Sequence, residues 1–252
     1  MLRCNKEVRL CFFPQKLQSS QGTCDDPTSA ECLRISQTRG LAEVMGYLFD
    51  NCTISVFTEE LLSECEPFSC GVEDLDDFFS SKALEYTEFR MGKTFCFRLR
   101  SDLRKIVSMM TLSYDSIRIY DLPRSRRDAM LKITHHKKTL KRYPGVLIGR
   151  LAVSNDVEFK RKGIGSEMID IVKQWYGSDE IKAGCRMLIV DALNEPDVLS
   201  FYRKNGFETL FTTEQQEDFY VNPPKDEEQR LMRLANPAKL ETRLMFTDLL
   251  KE

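Results

Sequence analysis

The chain has 252 residues, 30% of them charged and 42% hydrophobic, with a formal net charge of −2. That length suits one large domain, or one domain with appendages, and the composition is that of a globular protein. No apolar run approaches the roughly 18 residues of a membrane span, and Lys6, Glu7 and Arg9 interrupt any secretory apolar core behind Arg3, so a cytoplasmic protein that meets no membrane is expected.

Residues 1–44 are rich in Ser, Gln, Thr, Cys and Asp and show neither a period of 2 nor one of 3.6. They read as an N-terminal leader, with Leu10-Cys11-Phe12-Phe13 as an alternative edge strand. The folded domain is expected to span residues 45–252. Four of the nine cysteines (Cys4, Cys11, Cys24, Cys32) lie in that leader. None forms a C-x-x-C pair, and the spacing of Cys65 and Cys70 is not a usual zinc spacing. Reduced thiols are expected, with Cys96 and Cys185 buried in strands, and no metal.

Thr53 to Phe57 reads as the first strand, and Val72 to Glu88 as a helix with Val72, Leu75, Phe79 and Ala83 near one face. Thr94 to Leu99 and Lys105 to Leu112 read as an antiparallel pair. Arg118 to Arg142 holds nine Lys/Arg against Asp121 and Asp128, and its part from Arg124 to Arg142 reads as helical. The adjacent His135 and His136 would point about 100° apart on a helix, a poor metal pair. Such a charge run is ordinarily a solvated face, but this excess of cations would also attract an anionic or phosphate-bearing acceptor.

Val146 to Ser154 reads as a central strand. A glycine-bearing loop follows, and then an amphipathic helix with Ile164, Met168, Ile169, Val172 and Trp175 on one face. Arg186 to Ala192 is a second apolar strand. Pro196 suits the first turn of a helix that carries Val198, Leu199 and Tyr202 and stops at Gly206. Phe207 to Phe211 reads as a further strand. Residues 212–239 form a polar insertion, with Asn222-Pro223-Pro224 and a short helix at Asp226 to Leu234; a structureless loop of that length is unusual. Thr242 to Asp248 is the last strand.

The loop between central strand and helix is Lys160-Arg161-Lys162-Gly163-Ile164-Gly165-Ser166. The first amides of a helix have no internal acceptor and carry positive partial charge. Gly163 and Gly165 would let a phosphate approach, and three cations stand beside them. An ordinary turn into a helix is the plain alternative. The third glycine of a dinucleotide fingerprint is replaced by Met168, and no P-loop pattern is present.

Four pieces now stand in order: Leu151-Ala152-Val153, then Lys160 to Gly165, then Asn194, then Phe201-Tyr202-Arg203-Lys204-Asn205-Gly206-Phe207. Over about 70 residues this set closely resembles the GNAT superfamily of acyl-CoA-dependent N-acetyltransferases, the last run matching its F-Y-x-x-x-G-F signature. Lys160 departs from the family's usual Gln or Arg. The resemblance implies an α+β fold: a mixed, mostly antiparallel central sheet with a splayed parallel strand pair, flanked by helices. It implies that Leu151, Ala152 and Val153 line the pantetheine arm of acetyl-CoA, with the backbone of Leu151 and Val153 pairing to it. It further implies that Lys160, Arg161, Lys162, Gly163, Ile164, Gly165 and Ser166 hold the pyrophosphate. Asn194 would bind pantetheine amides, or serve only as a loop or cap residue. Tyr202 would protonate the leaving thiolate, a role open to a phenol of pKa near ~10, or merely pack. The general base is not legible among Asp115, Asp156, Glu158 and Asp191. A missing base would suit an α-amine, whose pKa near ~8 lies below the ~10.4 of a lysine.

Phe68-Ser69-Cys70-Gly71-Val72-Glu73-Asp74-Leu75-Asp76-Asp77-Phe78-Phe79 and Ile148 to Val153 look like the toxin-like branch of the same superfamily. That resemblance implies acetylation of aminoacyl-tRNA, contact with tRNA through segment 118–142, and an antitoxin partner. The acidic balance, the insertion and the leader depart from it. The leading expectation is direct transfer of acetyl from acetyl-CoA to a primary amine, without a cysteine intermediate. The toxin-like activity and a non-catalytic acyl-CoA sensor are the alternatives, and a homodimer is a further expectation.

Overall fold

The structure, a computed structural model, describes residues 46–132, 141–178 and 183–251. The leader, both histidines and part of the basic segment lie outside the described residues. In chain order the elements are α1 (Tyr47–Asn51), β1 (Cys52–Val56), α2 (Glu59–Glu64), α3 (Glu73–Asp77), a π turn (Phe78–Lys82), α4 (Ala83–Glu88), β2 (Lys93–Leu99) and β3 (Ile106–Arg118). There follow α5 (Arg124–Lys132), β4 (Arg142–Val153), α6 (Ile164–Gly177), β5 (Met187–Leu193), α7 (Pro196–Lys204), β6 (Glu208–Thr209), α8 (Glu214–Val221), α9 (Glu227–Ala235) and β7 (Thr242–Asp248).

One seven-stranded sheet runs in the order β1-β2-β3-β4-β5-β7-β6. Every neighbouring pair is antiparallel except β4 and β5. This is the mixed sheet expected from the sequence. Strand alternation sends side chains to two faces. On one face Val146 and Ile148 of β4, and Leu188, Val190 and Ala192 of β5, pack with Ile164, Met168 and Val172 of α6 and with Leu199 and Tyr202 of α7. On the other, Met187 and Ile189 of β5 pack with Met130 of α5 and with Leu210 and Phe211, while Phe78 and Phe79 pack with Cys96, Met109 and Ala152.

Several elements differ from the sequence expectation, among them the short helices α1 and α2, the longer β3 and the two-residue β6. The helix over Val72 to Glu88 is interrupted by the π turn, whose extra residue lets the adjacent Phe78 and Phe79 both enter the core. The helix over Arg124 to Arg142 stops its described course at Lys132. Arg142 already belongs to β4, because β3 continues to Arg118 and pairs with it there. The insertion holds two helices instead of one. Thr213 caps α8 and Asp226 caps α9 through the amides of Gln216 and Gln229. Helix α8 carries no apolar period; it is held by Glu217, which accepts from Arg243 Nε at 2.8 Å and from the amide of Leu244. Of the two cysteines assigned to strands, Cys96 is buried in β2, whereas Cys185 is half-buried and precedes β5.

Candidate active site

The parallel pair is short. Only Gly145, Val146 and Leu147 of β4 face Met187, Leu188 and Ile189 of β5. Beyond Leu147 and Ile189 the strands part: β4 continues against β3 and β5 against β7. The β3–β4 register shifts between Thr111 and Leu112, leaving Gly149 as an extra residue at that point.

The direction of the freed peptide groups follows from register. The amide of Ser154 donates to the carbonyl of Val107 at 2.9 Å. In an antiparallel pair the bonded residues alternate, so Ala152 turns its peptide groups to Met109 of β3. Leu151 and Val153 turn theirs away from β3, into the opening beside β5. These are the two residues expected to pair with an extended ligand. Ala152 contributes only the small side chain between them, buried against the π-turn side of the sheet.

After β4 the chain makes a 3-10 turn at Val157–Phe159 and reaches the cationic loop. Phe159 is buried and meets the Tyr47 ring edge-on at 6.1 Å, which pins the loop's entry. Arg161 and Gly163 both adopt positive φ, 60° and 72°. For Arg161 this is a strained conformation. The amides of residues 161–165 have no acceptor among the described residues, whereas those of Ser166 and Glu167 turn inward to the carbonyl of Gly163. A run of amides without protein acceptors at a helix start is the kind of arrangement that can receive an anion. Ile164 is buried and anchors the helix start; Lys160, Arg161 and Lys162 are exposed. Lys162 lies over the ring of Tyr47, 4.2 Å from Nζ to the centroid.

The two glycines have different reasons. A Cβ on Gly163 would meet nothing within 4 Å, so its φ of 72° is what requires glycine. A Cβ on Gly165 would stand 3.2 Å from Phe201 of α7. The sequence pattern assigns Gly165 to phosphate approach; the structure adds close packing of α6 on α7.

Tyr202 lies next to Phe201 and is 8% exposed. Its ring meets Phe201 at 5.1 Å and Phe207 at 5.5 Å, both edge-on. Burial pushes its phenol up to about 12. The hydroxyl therefore holds its proton throughout the neutral range, as an acid must. Tyr202 thus packs in the core on α7 and keeps its proton.

Asn194 follows β5. Its Nδ2 donates to Glu214 Oε1 at 3.1 Å and to the carbonyl of Leu240 at 2.9 Å. Both amide protons thus tie β5 to the two ends of the insertion, leaving the side-chain oxygen as its group for a ligand. Glu214 takes part because its other oxygen accepts from the amide of Leu240 at 2.8 Å.

The four carboxylates left open by the sequence separate. Glu158 is paired with Lys105 at 3.2 Å, and Asp156 is exposed on the loop after β4. Asp115 accepts from the amide of Ser116 at 2.6 Å. Asp191 stands on β5 beyond the last parallel pair. Solvent reaches it, yet the protein crowded around it raises its pKa; the charge of Asp115 adds to the rise and Arg150 opposes it. Arg150, on β4, stacks on Phe78 at 5.1 Å.

Part of the basic segment is structural. Arg118 stacks on Tyr220 at 4.4 Å and donates to its carbonyl, and Arg126 pairs with Glu208 and donates to the carbonyl of Thr209 at 2.9 Å. Arg124 and Arg127 share Asp128 at 3.7 and 3.9 Å. Among residues without a sequence signal, Glu167 also matters. It is buried at 6% exposure and accepts from the amides of Leu48 and Phe49, both at 2.8 Å. It thereby fastens α1, and with it Tyr47, to the first turn of α6. No group of three or more His, Cys, Asp or Glu among the described residues could hold a metal, and no described helix is long and apolar enough to cross a membrane.

No protein-family model matches the sequence, and no curated protein matches it significantly. Solved structures do. AtaT complexed with acetyl-methionyl-tRNAfMet superposes with a TM-score of 0.56 at 19% identity, covering 80% of this chain and 96% of that one. A tyrosine-to-phenylalanine mutant of KacT gives 0.56 at 18% identity, with the same coverage. AtaTR bound with AcCoA gives 0.55 at 20% identity, again covering 80% and 96%. The chain therefore has the fold of these acetyltransferase toxins, the GNAT fold that its motifs resemble.

Proposed function

We propose that this chain is an acetyl-CoA-dependent N-acetyltransferase whose acceptor is the α-amine of an aminoacyl-tRNA. The observation that carries the first half is the opening between β4 and β5, lined by the peptide groups of Leu151 and Val153 and closed at one end by the free amides of residues 161–165. Those groups suit the pantetheine arm and the pyrophosphate of coenzyme A. Lys160, Arg161 and Lys162 add charge where the phosphates would lie.

Transfer needs an amine without its extra proton, a polarised thioester carbonyl and a protonated leaving sulfur. Tyr202 suits the third need, because its phenol stays protonated and its helix borders the opening. Cys96 is fully buried and its thiol is pushed up to about 12 by burial, which makes it a poor nucleophile and favours direct transfer.

The generic primary-amine reading gives way to the narrower one for two reasons. The solved neighbours include AtaT with acetyl-methionyl-tRNAfMet, and the exposed cations Arg124 and Lys132 lie on a segment suited to an RNA backbone. A protein antitoxin is the corresponding partner, since another neighbour is AtaT bound to the C-terminus of the antitoxin AtaR. Incubation of charged tRNA with labelled acetyl-CoA should place label on the aminoacyl group. Unlabelled tRNA from a preparation that binds coenzyme A and acetylates small amines would sink the tRNA acceptor and leave the enzyme. Absence of coenzyme A binding would sink both.

A further inference from the structure

We propose that Asp191 is the group that takes the proton from the acceptor amine, working from the face of the sheet opposite Tyr202; this rests on the acetyltransferase reading above. Asp191 is two residues past Ile189, the last residue of β5 paired with β4. It therefore stands on the wall of the opening where the strands have parted. It shares a face with Met187 and Ile189, whereas Val190 and Ala192 turn to the cluster that contains Tyr202. Tyr202 and Asp191 thus flank the opening from opposite sides. A carbonyl held in that opening could lose its sulfur towards one and meet an amine from the other.

Other carboxylates on that side of the sheet are engaged: Glu217 with Arg243 at 2.8 Å, Asp248 with Arg186 at 2.9 Å, and Glu208 with Arg126. Asp115 lies opposite Gly145, before the strands part. The side chain of Asp191 has neither an ion pair nor a hydrogen bond among the described residues, although its neighbours Leu188, Ile189, Val190 and Ala192 are buried and apolar.

The surroundings of Asp191 suit a base. From β3 it faces the charge of Asp115, from β4 that of Arg150, and from α8 that of Glu217, itself held by Arg243. Its neighbour on β7 is the apolar Leu244. Crowding and the charge of Asp115 outweigh Arg150, and a carboxylate of raised pKa is the stronger base. In the step itself one proton passes from the ammonium to the Asp191 carboxylate. The freed nitrogen pair forms the C–N bond while the carbonyl pair moves to oxygen. As that pair returns, the C–S bond breaks and the thiolate takes the Tyr202 proton. The second nitrogen proton restores the phenol through solvent, and Asp191 releases its proton to solvent.

The test is Asp191→Asn in the full chain, with an α-amine acceptor and acetyl-CoA. The variant should bind coenzyme A within about twofold of wild type by calorimetry, yet lose roughly 10²–10⁴-fold in kcat/KM. The wild-type pH profile should rise through a value above the ordinary carboxylate range; in the variant that limb should vanish and activity should climb only with deprotonation of the amine itself. Asp115→Asn serves as the second probe: removing the like charge should move the wild-type limb to lower pH. An Asp191→Asn enzyme with wild-type kcat/KM, or an unmoved limb in Asp115→Asn, overturns the assignment alone. A wild-type chain that binds coenzyme A but acetylates no amine overturns the transferase reading and the base together.

Discussion

The ring of Phe201, in α7, lies 3.2 Å from the position a Cβ on Gly165 of α6 would occupy. The helix that begins with acceptor-free amides and the helix that carries Tyr202 are therefore packed closely on each other. Gly165→Ala should force Phe201 aside and destabilise the fold by about 1–3 kcal/mol, as overpacking does. Because Tyr202 is the next residue, kcat should fall more than coenzyme A affinity. Chemical denaturation and steady-state kinetics on the same preparation check both.

Gly163 calls for the opposite outcome. Its added Cβ meets no atom, so only the backbone at φ 72° resists. Gly163→Ala should lose about 1 kcal/mol of stability, with a weaker grip on coenzyme A and an unchanged kcat at saturation. A titration of coenzyme A by calorimetry reads the first, and saturating kinetics the second.

Tyr202→Phe should keep the ring packing against Phe201 and Phe207 and remove only the proton donor. Coenzyme A binding should stay within about twofold, while kcat falls roughly 10²–10⁴-fold. The sign of the pH dependence follows from burial. A phenol raised to about 12 is protonated at every lower pH, so the wild-type rate should show no alkaline loss from this group below its folded pKa. A variant that keeps full turnover would assign Tyr202 to packing alone.

Lys162 depends on Tyr47 for its position, and Tyr47 depends on Glu167. Tyr47→Ala removes the ring under the Lys162 ammonium and should raise the KM for acetyl-CoA several-fold with kcat unchanged. Tyr47→Phe keeps a ring and should restore it, since cation–π attraction does not need the hydroxyl. Equal KM values in the two variants would remove Tyr47 from the phosphate end.

The buried Arg186–Asp248 pair joins β5 to β7, with side chains 9% and 1% exposed. Arg186 also donates to the carbonyl of Met130 at 3.0 Å and stacks on Tyr143 at 4.2 Å. Asp248→Ala leaves that cation buried and unpaired, and should lower stability by about 3–5 kcal/mol. Equilibrium unfolding in urea measures it.

Strands and helices with a clean apolar period are legible because period and face are local properties. Cys52–Val56, Ile164–Gly177 and Thr242–Asp248 fall within a residue or two of the expected segments. Elements stabilised from a distance are not. Helix α8 owes its stability to Glu217 and Arg243, 26 residues apart, and the polar sequence EQQEDFYV carries no period. Arg142, expected to end a helix, is instead a strand residue paired with Arg118, as β pairing can override local preference.

The candidate site residues divide in the same way. Glycines, cations and the F-Y-x-x-x-G-F run lie within short stretches, so their chemistry can be read along the chain, down to the loop that frees its amides and the phenol beside it. Which peptide groups of β4 turn away from β3, why Gly165 is packed against Phe201, what Asn194 holds and which of the four carboxylates are paired depend on contacts between distant segments. Strand register and helix packing are set by the whole core at once, and no local pattern encodes them.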